Sequence, residues 1–366
     1  MVLTTEASIS REELQLAARN HGLPLEALRW PITPVGLHYL LVHYDVPLVD
    51  AARWRLEVGG LVERRLSLSL DDLRALPAVE IVATMECAGN GRALLEPRPI
   101  SQPWLDGAVG TARWRGAPLD DVLERAGVRA GTRELIFAGL DHGVEGGEEQ
   151  RYERSLTLGD ARGALLAYEM NGGPLPPQHG FPLRLLVPGW YGMTNVKWLA
   201  AITAVDEPFR GYQQDRAYRI RREESEDGRP VTRMQPRALM APPGIPDFLT
   251  RRRLLRLGEH ELTGRAWSGR APVTRVEVSV DGGATWADAE VTDELGSPWA
   301  WRAWRLRWTP SAPGDHVLCC RARDAAGAVQ PLEPPWNLGG YENNAVQRVE
   351  VAVVPGEGST RVAALE

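Results

Sequence analysis

A charged, proline-rich stretch between about residues 222 and 245 divides this chain of 366 residues into two regions of different character. Residues 223–229 are mostly charged, and the segment after them is interrupted by prolines at Pro230, Pro236, Pro242, Pro243 and Pro246. Proline does not continue a helix or a central strand, so regular structure is expected to stop here. A chain of this length has room for two domains with substantial cores. We predict an N-terminal extension at 1–34, a first domain at 35–230, a second at 231–356 and a tail at 357–366.

The first domain mixes short helices and short strands without regular alternation. Ser10, with Glu13 three residues later, has the spacing of a capping box and predicts a short helix over 10–20. Further helices are predicted at 70–76 and 119–126, and apolar runs predict strands at 79–83, 134–140 and 183–187. This pattern indicates an α+β domain rather than a doubly wound parallel sheet.

The second domain has the alternating pattern of β-strands. Val276, Val278 and Val280 lead into the sequence Asp-Gly-Gly at 281–283, which is a strong hairpin signal. Further strands are predicted at 291–292, 301–308, 317–323 and 346–354. About seven short strands over roughly 110 residues predict an immunoglobulin-like sandwich.

The stretch from Thr84 to Arg92 places a cysteine at the end of a predicted strand. Cys87 follows the apolar run 79–83, and small residues come after it. Small residues suit a tight turn and a close approach of the backbone to a ligand. A thiolate in this position suits a soft metal or nucleophilic attack. The alternative is a buried core cysteine, which is a common state of a free cysteine.

The remaining cysteines and histidines argue against several other kinds of site. The chain has three cysteines and no Cys-x-x-Cys pair, so neither an iron–sulfur cluster nor a cysteine-rich zinc site is indicated. Cys319 and Cys320 are expected to face opposite sides of one strand. A zinc site built from His38 and His43 is disfavoured, because a spacing of five misaligns them on a helix or a strand. This use of cysteine fits a reducing compartment.

Charge and hydropathy limit the partners and the location that we expect. The net charge is -6 and the pI is about 5.8, whereas binding of nucleic acid needs a basic face. Residues 1–28 are polar and mixed in charge, and no apolar run is long enough to span a bilayer. We expect a soluble, cytoplasmic protein that binds neither nucleic acid nor membrane.

The Cys87 stretch resembles the molybdenum-binding segment of the sulfite oxidase family, in which one cysteine in a TxxCAGNxR context binds the metal of a molybdopterin cofactor. Other segments of that family recur in the same order, at 165–172 (LLAYEMNG), 179–184 (HGFPLR), 195–198 (NVKW) and 281–286 (DGGATW). The resemblance spans roughly residues 35–355. It implies that the first domain binds molybdenum-molybdopterin and that the second mediates homodimerisation.

The same resemblance implies a molybdopterin-dependent oxidoreductase. Members of this family often carry a haem domain ahead of the molybdenum domain, but we expect no haem here, because the residues before Tyr39 leave no room for such a domain, and the cysteine spacing predicts no iron–sulfur or zinc centre. The implied reaction is oxygen-atom transfer involving a small oxyanion or oxo substrate such as sulfite, with electrons passed to an external acceptor such as a cytochrome. Position by position, the implied cofactor-binding residues are Tyr39, His43, Cys87, Asp141, His179, Arg184, Asn195, Val196 and Lys197, with Cys87 as the metal ligand. The implied catalytic residues are Cys87, Arg92, Tyr218 and Trp104.

The chain departs from the family pattern at two positions that bind sulfite in its relatives. Leu41 and Gly339 stand where the family has arginines. Loss of two charged hydrogen bonds, each worth about 1.5–3 kcal/mol, weakens the binding of an oxyanion. We expect compensation from arginines on neighbouring loops, with Arg98, Arg113 and Arg115 as candidates. Two alternatives stay open: the same cofactor acting on nitrate, a sulfoxide or another oxo compound, and a non-catalytic binding or scaffold protein.

Overall fold

The computed structural model describes residues 3–4 and 9–356, and these form two compact units. The first unit takes in Ile32–Met234 and Pro335–Asn343, together with the described residues up to Leu23. The second takes in Pro24–Pro31, Gln235–Pro334 and the described residues from Asn344 onwards. The predicted tail at 357–366 lies outside the described residues.

The segment Pro24–Pro31, predicted as part of an N-terminal extension, joins the second unit, and the segment Pro335–Asn343, predicted within the second domain, returns to the first unit. The segment that returns to the first unit is held by Trp336, whose indole nitrogen donates to the carbonyl of Pro97 over 2.8 Å. The segment that joins the second unit is held by Arg265, whose Nε donates to the carbonyl of Leu28 over 2.8 Å. Hydrogen bonds between residues so far apart in the chain leave no trace in a local sequence pattern.

The first unit combines short helices with two five-stranded sheets. Its α-helices are α1 (Arg11–Arg19), α2 (Leu70–Arg74), α3 (Leu119–Ala126) and α4 (Leu158–Ala161), with 3₁₀ turns at Val35–Leu37, Arg92–Leu94, Pro177–His179 and Gly192–Thr194 and a π-helical turn at Gln213–Ala217. Its strands are β1 (Leu3–Thr4), β2 (Leu56–Gly60), β3 (Leu66–Leu68), β4 (Val79–Glu86), β5 (Arg98–Pro99), β6 (Val109–Pro118), β7 (Glu134–Glu145), β8 (Glu148–Thr157), β9 (Leu165–Met170), β10 (Gly173–Pro174), β11 (Arg184–Leu186), β12 (Leu199–Val205), β13 (Arg219–Ile220) and β14 (Arg229–Pro230).

The two larger sheets of the first unit share one apolar core. One sheet has the order β10-β9-β6-β4, with β11 also paired to β9, and the other has the order β3-β2-β12-β7-β8. In the second sheet β12 runs parallel to β2 and antiparallel to β7. The core draws on helices and on both sheets, with Leu73, Val122, Phe137, Leu166 and Ile202 as fully or almost fully buried members. The mixed pattern confirms the α+β prediction for this region.

The second unit is built mainly of strands. They are β15 (Arg237–Met240), β16 (Ile245–Pro246), β17 (Arg253–Arg256), β18 (His260–Trp267), β19 (Val273–Ser279), β20 (Ala287–Asp288), β21 (Glu290–Thr292), β22 (Arg302–Trp308), β23 (Gly314–Asp324) and β24 (Gln347–Val354), with a 3₁₀ turn at Leu25–Arg29. A four-stranded sheet has the order β15-β18-β22-β21, and a six-stranded sheet has the order β16-β17-β24-β23-β19-β20. Both sheets contribute to one core, in which Cys320 is buried, whereas Cys319 is buried outside that core.

Several local predictions are confirmed. Helix α1 begins after Ser10, whose side chain accepts from the backbone of Glu13 while the Glu13 carboxylate accepts from the backbone of Ser10. Helix α3 has the predicted bounds, and a hairpin turn follows β19 at Gly282 and Gly283, both with positive φ. Among the described residues, none of the helices has the length and apolar character needed to cross a membrane.

Candidate active site around Cys87

Cys87 lies just past the end of β4, where the chain turns out of the sheet. Its backbone nitrogen donates to the carbonyl of Ala108 over 2.9 Å, and its own carbonyl accepts from Asn90 over 3.0 Å. Burial raises the pKa of the Cys87 thiol, while the charge of Arg92 and the nearby indole of Trp104 lower it. The side chain is 6% exposed and lines two clefts, so its burial is that of a site residue rather than of an apolar core.

The turn after Cys87 wraps around the guanidinium of Arg92. A Cβ at Gly89 would stand 2.5 Å from the Arg92 Nη2, which explains why this position has no side chain. Arg92 donates from Nε to the carbonyl of Gly339 over 2.9 Å and from Nη1 to that of Gln102 over 3.1 Å. Its guanidinium carbon lies 5.1 Å from the ring centre of Tyr341. Arg92 is therefore a buried cation fixed beside the thiol.

The first of the two clefts, which we call the cofactor cleft, has a void volume of about 580 Å³. Among the residues predicted to bind the cofactor, those that line it are Tyr39, His43, Cys87, Asp141, His179, Arg184, Asn195 and Lys197. Val196 does not line it: its side chain lies in the core, and its backbone nitrogen and carbonyl pair with Thr194 and Leu185. Its role stays a prediction.

Arg184 is the most constrained cation of the cofactor cleft. It donates to the carbonyl of His179 over 3.1 Å and to that of Asn195 over 3.2 Å. Its guanidinium carbon lies 4.8 Å from the ring centre of Trp114. Burial lowers the pKa of Arg184 to about 10, which leaves it charged at neutral pH. A buried positive charge of this kind suits an anionic group such as a phosphate.

Lys197 and Asp141 are two further ionisable groups of the cofactor cleft, and the charge of each affects the pKa of the other. The Lys197 ammonium donates to the carbonyls of Leu41 and Gln178 over 2.7 and 3.0 Å. Burial lowers the pKa of Lys197 to about 7, and the neighbouring Arg184 lowers it further while Asp141 raises it. Burial also raises the pKa of Asp141 to about 6, against the charge of Lys197. The pKa of each group is therefore shifted towards neutrality by burial and is sensitive to a charge placed beside it.

Three histidines of the cofactor cleft are held neutral by burial. Burial lowers the pKa of His38 to about 4 and that of His43 to about 3, and it lowers the pKa of His179 as well. The rings of His38 and His179 meet edge to face at 5.5 Å. From the sequence, His38 was considered only as a zinc ligand and was missed as a lining residue. No motif signalled this role.

Buried polar atoms without partners test whether the cleft fits a pterin cofactor. Within the described residues, such atoms include His38 Nε2, Trp104 Nε1, Asp141 Oδ1, Arg154 Nε, Arg184 Nε and Gln213 Oε1. A buried polar atom without a partner costs about 1–3 kcal/mol, so native proteins keep few of them. Most of these belong to residues that line one of the two clefts. Donors, acceptors and cations together match a ligand with hydrogen-bonding edges and a phosphate.

The second cleft, which we call the substrate cleft, has a void volume of about 850 Å³ and meets the cofactor cleft at Cys87. The structure brings the predicted catalytic residues Arg92, Trp104 and Tyr218 together along its lining. The Tyr218 hydroxyl and His43 Nε2 are hydrogen-bonded over 2.6 Å, and both residues line both clefts. Burial raises the pKa of Tyr218 well above its ordinary value, so the phenol keeps its proton.

The two positions that depart from the family pattern lie at the substrate cleft or beside it. Leu41 lines both clefts with an apolar side chain. At Gly339 an added Cβ would clash with the ring of Tyr341, so a larger residue there requires that ring to move. Tyr341 lines the substrate cleft and lies 5.2 Å, centre to centre, from the ring of Tyr218.

The expected compensation by other arginines is wrong. Arg98 pairs with Glu13, and its side chain lines neither cleft. Arg113 and Arg115 are about half-exposed and pair with glutamates of the neighbouring strands. Both side chains share the exposed face of β6, because side chains alternate along a strand, and the buried Trp114 between them faces the other side, where it contacts Arg184.

Sequence reasoning missed several residues that complete the substrate cleft. Glu145, Gln213 and Tyr341 line it, and Arg154 lies behind it with its guanidinium carbon 5.6 Å from the ring centre of Tyr218. None of them belongs to a motif that signals chemistry. They meet only because β7, the π-helical turn and the returning segment from residue 335 end at the same place.

Comparisons with known proteins agree with this geometry. The family described as "Oxidoreductase molybdopterin binding domain" matches residues 43–213, and the family described as "Mo-co oxidoreductase dimerisation domain" matches residues 248–354. Mitochondrial sulfite oxidase of Mus musculus is 39% identical over 345 residues, which cover 88% of this chain and 62% of that protein. Sulfite oxidase of Gallus gallus is 37% identical over 348 residues, covering 87% of this chain and 72% of that protein.

Two further relatives carry other names. Nitrate reductase [NAD(P)H] of Hordeum vulgare is 34% identical over 352 residues, which cover 88% of this chain and 39% of that protein. The crystal structure of the sulfane dehydrogenase SoxCD from Paracoccus pantotrophus superimposes with a TM-score of 0.78 at 28% identity, covering 89% of this chain and 82% of that one. The chain thus spans about three fifths of the mouse relative and less than half of the barley one.

Proposed function

The chain belongs to the sulfite oxidase family of molybdopterin-dependent oxidoreductases, and on that premise we propose that it catalyses oxygen-atom transfer with a small substrate such as sulfite. One observation carries this proposal: Cys87 is the point at which a polar, partly unsatisfied cleft meets a second cleft lined by predicted catalytic residues. A soft thiolate suits molybdenum, and the surrounding donors suit a pterin.

We infer that the residues of the cofactor cleft hold the pterin and its phosphate. When bound, the cofactor supplies oxygen-atom transfer coupled to a two-electron change at molybdenum. Arg184 and Lys197 contribute positive charge, while His179 and Asp141 contribute hydrogen-bonding atoms. Cys87 is the metal ligand in this proposal, and its burial keeps water away from the thiolate.

The proposed roles of the substrate cleft follow from its donors. Tyr218 keeps its proton, because burial raises its pKa, and we infer that its hydroxyl donates a hydrogen bond to His43 Nε2, which burial keeps neutral. Trp104 lines the substrate cleft beside Cys87, where its indole lowers the pKa of the thiol, and it is proposed to border the substrate. Arg92 places a fixed positive charge beside Cys87.

A second candidate function is the same chemistry on a different substrate, such as nitrate, a sulfoxide or another oxo compound. Leu41 and Gly339 favour it, because they leave the substrate cleft with fewer cations than the sulfite-oxidising pattern has. The similarity to a protein named nitrate reductase and to one named sulfane dehydrogenase supports keeping this candidate.

We further propose the assembly and the partners that accompany this chemistry. Electrons leave to a separate acceptor such as a cytochrome. The second unit is proposed to be an immunoglobulin-like sandwich that forms a homodimer, which the match to a dimerisation family supports. A cytoplasmic location is also proposed.

Metal analysis and a substrate panel test the proposal. Protein from a host that makes the cofactor is expected to contain about one molybdenum per chain, and steady-state assays then compare sulfite, nitrate and sulfoxides with artificial electron carriers. A KM for sulfite in the many-millimolar range shows that sulfite is a poor substitute for the physiological substrate. If the protein contains no molybdenum when it is made in cells that supply the cofactor to other molybdenum enzymes, the proposal is contradicted. The alternative of a non-catalytic binding or scaffold protein is then favoured.

A further inference from the structure

The substrate cleft carries little net charge. Among the described side chains that line it, one arginine, Arg92, and one carboxylate, Glu145, carry charge, while burial keeps His43 neutral. Leu41 and Trp104 supply apolar surface close to Cys87. A site built for a dianion ordinarily gathers several cations, each donating to an oxygen. This cleft offers one cation and one carboxylate.

The carboxylate is held in place rather than free to swing out. Glu145 ends β7, and its Oε2 accepts from the hydroxyl of Tyr44 over 2.9 Å and from Gln213 Nε2 over 2.7 Å. Gln213 also donates to the Tyr44 hydroxyl over 2.8 Å, which closes a three-residue network. The hairpin turn after β7 packs closely against Tyr212, so closely that a Cβ at Gly146 would stand 2.6 Å from its ring.

The single cation is largely committed to the protein. Two of the N–H groups of Arg92 donate to the carbonyls of Gly339 and Gln102, and Tyr341 covers one face of its guanidinium. Fewer donors are left for the two-point grip by which arginine ordinarily holds an oxyanion. Burial raises the pKa of Tyr341, Arg92 lowers it and Glu145 raises it, so the two charges act on the same phenol from within one cleft.

We propose that Glu145 is a specificity-determining residue, which disfavours oxyanions in the substrate cleft and selects a substrate without net negative charge. The inference rests on the proposed function, because it concerns what reaches the cofactor. Repulsion by a fixed carboxylate scales with the charge of the substrate, so a dianion feels it twice and an uncharged molecule not at all. Tyr218 and Trp104 line the cleft with polar but uncharged side chains, which an uncharged molecule can contact without charge repulsion.

The test compares Glu145→Gln with Glu148→Gln in molybdenum-loaded protein. Glutamine keeps the shape of residue 145 and its ability to accept a hydrogen bond from Tyr44 while it removes the charge. Glu148 is the matched control, because it pairs across the same hairpin, is exposed and lines neither cleft. Inorganic sulfate is the dianionic probe and methyl phenyl sulfoxide the uncharged one, and both are titrated against intrinsic tryptophan fluorescence.

Glu145→Gln is expected to tighten sulfate binding by about tenfold or more at low salt, while sulfoxide binding changes by less than about twofold. The control variant is expected to leave both affinities within about twofold of wild type. Kinetics give the second readout: sulfite oxidation with an artificial acceptor gains in kcat/KM, and sulfoxide reduction does not. Reduction of one sulfoxide consumes two electrons from reduced viologen and two protons, and it yields the sulfide and water.

The outcomes separate the inference from the proposed function. Wild-type protein that lacks molybdenum contradicts the proposed function before any variant is compared. Loaded protein in which Glu145→Gln and Glu148→Gln change sulfate affinity equally overturns the inference alone. A wild-type preference for sulfite over the sulfoxide in kcat/KM, unaltered by Glu145→Gln, overturns it as well. Molybdenum content and the melting temperature of each variant show whether the fold has survived.

Discussion

The cofactor cleft and the substrate cleft meet at Cys87, yet they are built on different principles. The cofactor cleft gathers two cations, the buried Arg184 and the half-buried Lys197, with polar atoms that lack partners among the described residues. The substrate cleft holds one cation, Arg92, opposed by Glu145. The comparison teaches that a site for a large ligand is prepared by unsatisfied hydrogen-bonding groups, whereas the choice of a small substrate depends on a few charges.

Removal of the shared thiolate is expected to have the largest effect, and it separates the two clefts. Cys87→Ser should lower kcat by at least about a thousandfold, since changes outside the ligand shell of a metal already cost about 10–100-fold. The cofactor cleft loses no cation in this variant, so pterin should be retained. Pterin fluorescence after release and steady-state turnover measure the two quantities. Unchanged turnover contradicts the assignment of Cys87 as the ligand.

The neutral histidines of the cofactor cleft predict a steep loss of stability in acid for the metal-free protein. Each has a lowered pKa, so the unfolded chain binds a proton near pH 6.5 that the folded chain does not accept until about pH 4 or below. The free energy of unfolding of the first unit should therefore fall between pH 6.5 and 4, by about 4 kcal/mol per pH unit from three histidines.

Asp141 acts in the opposite direction over part of this range. Burial raises its pKa, so the folded chain takes up this proton before the unfolded chain does and gains stability as pH falls towards 3.8. The net slope should therefore be smaller than that of the histidines alone, and urea unfolding at pH 6 and 5 measures it. His38→Gln should lower the slope by about a third of the histidine contribution. A flat profile contradicts neutral histidines at this site.

Removal of the Tyr218 hydroxyl from the substrate cleft is expected to have a smaller effect on turnover. Tyr218→Phe removes the hydroxyl that donates to His43 but keeps the ring, so kcat should fall by about a hundredfold. Pterin and molybdenum content should stay at wild-type values, because Tyr218 supplies no charge to the cofactor cleft. Stopped-flow measurement of the reductive half-reaction checks the chemical step directly. A loss of cofactor instead of rate places Tyr218 among the binding residues.

The two clefts also differ in how completely the sequence predicts them, because some contacts are local in the chain and others are not. The capping box at Ser10 and the Asp-Gly-Gly turn are local, since the residues that make the hydrogen bonds lie within a few positions of one another. The residues of the cofactor cleft sit in short segments whose side chains and backbone carbonyls bind each other, as Arg184 does with the carbonyls of His179 and Asn195. Such segments keep a recognisable pattern wherever they occur.

The substrate cleft was predicted less completely because its residues are neighbours only in space. Tyr341 reaches it on a segment that returns from the second half of the chain, and Glu145 reaches it at the tip of a hairpin. The prediction of compensating arginines was wrong because it ignored the direction of their side chains. Arg113 lies on β6, the strand paired with the β4 strand that leads to Cys87, yet its side chain points to the surface. Alternation along a strand decides the direction of a side chain.

The smallest expected effect comes from adding a cation to the substrate cleft, and it asks whether charge alone distinguishes the two clefts. Leu41→Arg places a guanidinium on a backbone position that already lines the substrate cleft, whereas Gly339 admits no larger side chain without movement of Tyr341. One added charged hydrogen bond is worth about 1.5–3 kcal/mol before its desolvation is subtracted, so kcat/KM for sulfite should rise about tenfold.

Leu41→Met is the matched control for size, and its kcat/KM should stay near wild type. Because the carbonyl of Leu41 accepts from Lys197, pterin content is measured alongside. An arginine variant that keeps its pterin and gains nothing on sulfite shows that the shape of the cleft, rather than its charge, sets the substrate.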